Sequence, residues 1–266
     1  MFKIGSLSIY WYGLILALAM LAGIGMAIMI GRFYKVKAET IVDFAFWLII
    51  GGLIGARLYY VGLEWAYYKD DPLSILKIWQ GGLAIHGAII FGLLSLWLFV
   101  RRRKLDFWLL ASIVVPALAL AQAIGRWGNY FNQELFGLPT AAPWGIPIAE
   151  INRPAAYLQN GYFHPTFLYE SIGNLVLFAF LCLAHWLSSR ETANKQLNHK
   201  AIVLGYLIFY SVLRFVMEEF RIDEVPAIGH WRWPQIFSLA LALISLAVLI
   251  MSALKQRRKE KEDLFL

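Results

Sequence analysis

The sequence predicts an all-α polytopic membrane protein of seven transmembrane helices, with its N-terminus outside, its C-terminus inside and an elaborated loop region on the outer side. Three observations predict this class. Of 266 residues, 60 % are apolar and 15 % charged, against about 45–50 % and about 25 % in soluble domains. Seven apolar runs reach the length of about 18 residues that a helix needs to span a hydrocarbon core roughly 30 Å thick. The basic residues, finally, divide unequally between alternate connections.

The runs are residues 10–31, 41–62, 82–100, 105–125, 165–187, 201–218 and 234–254. The first has too long an apolar stretch for a cleaved signal peptide and no small-x-small site, so it is expected to stay as a helix. One set of connections holds 15 basic residues: Arg32, Lys35, Lys37, Arg101, Arg102, Arg103, Lys104, Arg190, Lys195, Lys200, Lys255, Arg257, Arg258, Lys259 and Lys261. The other holds seven (Lys3, Lys69, Lys77, Arg126, Arg153, Arg221, Arg232), and Arg57 and Arg214 fall inside spans. The richer set is expected in the cytoplasm. The net charge of +7 then belongs to topology and membrane lipids. A nucleic-acid partner is excluded, because it would need basic residues interleaved with stacking aromatics on a soluble face.

Proline divides the chain in the same way. Eight of nine prolines lie in the outer connections or where helices begin from that side. Pro116 alone falls in mid-span, where it is expected to kink the fourth helix. The outer side carries a long loop, residues 126–163, within a single integral membrane domain expected over 1–266. Cys182, the only cysteine, has no disulfide partner and sits among apolar neighbours, as a buried packing residue does.

Polar side chains at membrane depth are costly, about 2.5–3.5 kcal/mol for a central arginine, so their placement is informative. Here they gather toward the outer ends of the spans: Arg57 in the second, His86 about one turn into the third, Arg126 closing the fourth. Tyr210, Arg214 and Glu218 in the sixth repeat at intervals of four and so share one helix face. That stripe fits a functional site and, equally, a snorkelling arginine with a helical ion-pair partner. His86 stands among Gly81, Gly82 and Gly87; it fits a satisfied core histidine or a group that small neighbours leave open to a substrate. Arg57 fits an ion pair between helices.

The stretch GRWGNYFNQELFG (125–137) is predicted as an interfacial loop holding a forked cation (Arg126), two amides (Asn129, Asn132) and a carboxylate (Glu134). In HPTFLYE (164–170), Glu170 requires a cationic partner, with Arg126 and Arg57 available. No metal site is expected, since the five histidines lack ligand spacing. The nucleophile elbow G-x-S-x-G and the phosphate-cradling GxxxxGK[ST] loop are missing.

WYGL (11–14), DPLSILKIWQGGLAIHG (71–87), GRWGNYFNQELFG (125–137), HPTFLYES (164–171) and Y-x3-R-x3-E-x2-R (210–221) resemble, in the same order, the signatures of prolipoprotein diacylglyceryl transferase. The resemblance implies a bacterial plasma-membrane (inner-membrane) enzyme of seven helices whose active site faces outward and which uses no cofactor. Such an enzyme moves the diacylglyceryl group of phosphatidylglycerol to the lipobox cysteine thiol of a prolipoprotein signal peptide and releases glycerol phosphate. Its partners are those two substrates and the surrounding membrane lipids. Carried over by position, the resemblance implies a catalytic role for His86, phosphate contacts for Arg126 and Arg214, and substrate-binding positions at Tyr12, Asn129, Glu134, Gly137 and Tyr210. Tyr10, Ala88, Phe167 and Pro234 depart from the family pattern. The competing reading is an anion transporter or channel using Arg57, Arg126 and Arg214; it predicts polar groups along the full depth of a path.

Overall fold

The computed structural model describes residues 2–4, 7–190 and 198–264; Lys195 of the basic set lies outside them. The long helices are α1 (Trp11–Phe33), α2 (Ala38–Leu63), α4 (Ile85–Arg103), α5 (Phe107–Asn132), α6 (Thr166–Arg190), α7 (His199–Glu218) and α8 (Trp233–Leu264), with α3 a single turn at Trp65–Tyr68. Among the described residues, these seven helices are long and apolar enough to cross a membrane, and the chain is a multi-pass membrane protein. Among the described residues, sheet is confined to three two-stranded antiparallel pairs: β1 (Phe2–Ile4) with β2 (Leu7–Ile9), β3 (Ile146–Pro147) with β4 (Tyr162–Phe163), and β5 (Ala227–Ile228) with β6 (Trp231–Arg232).

Three boundaries differ from expectation. α5 runs through Pro116 and on to Asn132, so the first seven residues of the expected outer loop, 126–132, are helical and the irregular segment begins at Gln133. Gly and Asn suggested a loop, but Arg126/Tyr130 and Trp127/Phe131 continue the helical period, and the chain turns only where Gln133 (φ 51°) and Leu135 (φ 55°) take left-handed backbone. α4 begins at Ile85, which puts His86 in the first turn rather than one turn inside, because Gly81 and Gly82 adopt φ of 90° and 73° and cannot continue a helix. α8 reaches Leu264, ten residues past the apolar run, since the charged tail contains no breaker. Cys182 is half-buried rather than buried.

The chain forms two compact units, residues 28–113 and residues 1–27 with 114–266. In the first, α2 and α4 approach until backbones touch. A Cβ on Gly87 would stand 2.1 Å from Gly55 O, and one on Gly51 would stand 2.0 Å from Ser95 Oγ. Small residues at such a seam replace hydrophobic driving force, which is weak inside lipid, by close dispersion contact. Arg57, 6 % exposed, then holds the link between these helices. Its Nε donates to Ile75 O (2.8 Å), Nη1 to Gly81 O (2.7 Å) and Gly82 O (2.9 Å), and Nη2 to Ser74 O (2.7 Å), with the Tyr68 ring 5.0 Å away. The expected ion pair is replaced by backbone carbonyls.

In the other unit, Val115 and Ala119 of α5, Leu177 and Leu181 of α6 and Tyr206 of α7 form the core. Gly173 admits Leu213, whose Cδ1 would lie 2.6 Å from any Cβ there. The segment after α5 has a small core of its own, Phe136, Ile148 and Phe163, on which the β3–β4 ladder rests.

A buried cluster of arginines and carboxylates

The last turns of α5 and the second turn of α6 supply the opposing charges. Glu170 is 3 % exposed, and its Oε2 pairs with Arg126 Nη2. Its Oε1 accepts a hydrogen bond from Arg221 Nη1 at 3.2 Å and stands 4.0 Å from Arg214 Nη1. The cation that Glu170 requires is therefore Arg126, reinforced from beyond α7; Arg57 is engaged elsewhere in the first-described unit.

Glu218 is the second node. As the period of four predicts, Arg214 meets it along α7, Nη2 to Oε2 at 2.6 Å, while Arg232 Nε stands 3.0 Å from Oε1. Neither contact has hydrogen-bond geometry, so this fully buried carboxylate is held by charge alone. Arg232 also donates from Nη1 to Arg221 O and from Nη2 to Asp223 O, both at 2.6 Å, and Asp223 accepts from Arg221 Nε at 2.8 Å. Four guanidiniums (Arg126, Arg214, Arg221, Arg232) thus meet three carboxylates (Glu170, Glu218, Asp223), leaving one positive charge in excess. Arg214 Nη1 is buried with no hydrogen-bond acceptor.

Outside the spans, burial by itself would raise the Asp223 carboxyl. The hydrogen bond and charge of Arg221, with Arg232 behind, outweigh it and hold the group below its ordinary value. Burial would likewise lower Arg221, but its bond to and attraction for Asp223, then Glu170 and Glu218, raise it.

The helix-ending motif is tied to this cluster. Asn129 Nδ2 and Asn132 Nδ2 donate to Glu134 Oε1 at 2.9 and 3.4 Å, closing α5 over its own end. Gly137 forms a bridge with Arg221 and donates its N–H to His164 O at 2.9 Å. A Cβ there would stand 2.8 Å from Phe220 O and 2.9 Å from both His164 Cβ and Thr166 Cγ2, so only glycine fits. Tyr12 packs against Gly128, with ring Cδ2 2.8 Å from where a Cβ would be, and Trp11 stacks on Phe131 at 5.4 Å.

Of the residues singled out in the sequence, Arg126 and Arg214 share Glu170, Asn129 and Glu134 bond each other, and Gly137 connects to Arg221. Tyr210 stacks on Tyr206 (5.9 Å, 10°), which extends its stripe by a further interval of four along α7. His86 belongs to the other unit, where it is exposed and stacked on Tyr59 of α2 at 5.9 Å, so the satisfied core histidine is not what is found. Arg232 carried no sequence signal: the β5–β6 hairpin, turning at Gly229 (φ 61°), returns it to Glu218. Arg221 had one, three residues after Glu218. Among the described residues no three His, Cys, Asp or Glu side chains gather as a metal would need.

The family model described as prolipoprotein diacylglyceryl transferase matches residues 1–251. A relative from Synechococcus elongatus, called phosphatidylglycerol–prolipoprotein diacylglyceryl transferase, is 47 % identical over 257 residues, covering 96 % of this chain and 87 % of its own. Relatives with the same name from Synechocystis sp. and Parasynechococcus marenigrum are 40 % and 45 % identical. They cover 97 % and 85 % of this chain, and 90 % and 80 % of their own.

Proposed function

The chain belongs to the prolipoprotein diacylglyceryl transferase family, and from that premise we propose that it transfers the diacylglyceryl group of phosphatidylglycerol to the lipobox cysteine thiol of a prolipoprotein. The reaction would occur at the outer face of the bacterial plasma membrane. The thiolate sulfur attacks the glycerol carbon that bears the phosphate. A C–S bond forms, the C–O bond breaks with its electron pair going to oxygen, and glycerol phosphate leaves.

The observation that carries this reading is the spare positive charge at Arg126 and Arg214, with Arg214 Nη1 lacking an acceptor. A phosphodiester carries one negative charge and fits that excess. As the C–O bond breaks the phosphate gains a second charge, and guanidiniums held in place in a water-poor site favour that state over the ground state. The forked guanidinium suits phosphate oxygens better than an ammonium. Glu170 and Glu218 then serve to position Arg126 and Arg214. Tyr12, Asn129, Glu134, Gly137 and Tyr210 shape the surroundings.

His86 takes the thiol proton. Free cysteine titrates near about 8.5, so attack at neutral pH profits from a base, and an exposed imidazole held flat against Tyr59 supplies one. Incubating the purified protein in phosphatidylglycerol vesicles with a lipobox peptide tests the whole reading. Thioether product with stoichiometric glycerol phosphate is expected; solute flux through the vesicles with no product would overturn it in favour of an anion carrier.

A further inference from the structure

At the end of α4 opposite His86, α2 and α4 leave an apolar groove of about 280 Å³ lined by Trp47, Ile50, Gly51, Phe91, Leu94 and Leu98. Phe91, Leu94, Leu98 and Arg102 follow one another by three or four residues, so one face of α4 forms the groove wall and ends in a guanidinium. That guanidinium lies over the Trp47 ring, 5.1 Å from its centroid, at the mouth of the groove. Arg101 lies over Trp97 in the same way, at 5.2 Å. Asp43, the carboxylate in contact with this turn, is taken by Arg103 at 2.5 Å, and Arg101, Arg102 and Lys104 have no acidic partner among the described residues. Around this end stand Arg32, Lys35, Lys37, Arg101, Arg102, Arg103 and Lys104 against Glu39, Asp43 and Asp106.

We propose that this groove is a second lipid site, separate from the transferase substrate site, which holds an anionic phospholipid. One acyl chain lies between α2 and α4 and the headgroup phosphate meets Arg102. The groove is open to the hydrocarbon, since Ile50, Leu94 and Leu98 are exposed, and an alkyl chain is the apolar object that fills such a slot in a membrane. The surplus of basic side chains selects a headgroup with net negative charge over a zwitterion. The aromatic face of Trp47 fixes the guanidinium plane, leaving its outer donors for phosphate oxygens.

The test is binding of phosphatidylserine, and of phosphatidylcholine as control, to the full chain in detergent by native mass spectrometry, with thermal unfolding checked for each variant. Phosphatidylserine is expected to bind and phosphatidylcholine not. Arg102→Gln is expected to weaken binding about fivefold, and Ile50→Trp, which fills the groove, to abolish it. Arg126→Gln, in the transferase cluster, is expected to leave it unchanged. Equal binding of the two lipids, or undiminished binding in both groove variants, overturns the proposal. So does loss of binding in Arg126→Gln, which would place the lipid at the Arg126 and Arg214 guanidiniums instead.

Discussion

Glu170 and Arg126 form a buried ion pair between the second turn of α6 and the last turns of α5, and the same carboxylate turns its other oxygen to Arg221. Glu170→Gln keeps the shape and removes the charge on which three guanidiniums converge. Breaking a buried pair from one side typically costs about 3–5 kcal/mol. Thermal unfolding of the variant is expected to shift down accordingly, with transfer activity falling alongside, because Arg126 loses its positioning partner.

Arg126→Lys and Arg214→Lys keep a cation and lose the fork. Each is expected to lower kcat about 10²–10³-fold, the range seen when one charge-stabilising donor is removed, while circular dichroism and the unfolding midpoint stay close to wild type. Near-normal turnover in both variants would remove the phosphate role.

For His86→Gln, the pH–rate profile is the informative measurement. If His86 accepts the thiol proton, the limb of kcat/KM that rises with pH changes position in the variant, because the remaining rate follows ionisation of the thiol alone. An unchanged rising limb would move the proton to another group.

Gly137→Ala places a methyl group 2.8 Å from Phe220 O. Overpacking of this kind typically costs about 1–3 kcal/mol, and here it also pushes apart the bridge between Gly137 and Arg221. A lower unfolding midpoint together with lower activity is expected, whereas Gly125→Ala, with open space around its Cβ, should lose neither.

Asp223 links folding to acidity. Because its folded-state carboxyl is held below the ordinary value, its charge contributes stability that is fully present above the unfolded-state pKa of about 3.9 and is lost as pH falls through the lower folded-state value. Asp223→Asn is therefore expected to be less stable than wild type at neutral pH, with the difference closing below about pH 4 in parallel unfolding curves.

The seven spans were legible because uninterrupted apolar runs of that length have few alternatives, and the need of Glu170 for a cation was legible because a carboxylate at that depth demands one, with Arg126 and Arg57 both left open. The end of α5 was not. Gly125, Gly128 and Asn129 carry loop-like composition, and the helical period beneath them outweighed it once Tyr12 could pack on Gly128. Arg232 was hidden for a different reason: the hairpin that returns it to Glu218 is two residues per strand, too short to leave a periodic trace. Arg57 was recognised as lying inside a span and was expected in an ion pair, yet its partners were invisible because they are peptide carbonyls rather than side chains.

That last arrangement gives the stretch preceding α4 an unusual tolerance. Arg57 grips main-chain oxygens contributed by residues 74, 75, 81 and 82, and every amino acid brings the same oxygen to its position. Apart from the two glycines that set the bend, the stretch is free to diverge in side chains without loosening its hold, while Arg57 itself has no conservative substitute, because an ammonium is a compact point charge without the planar five-donor fork.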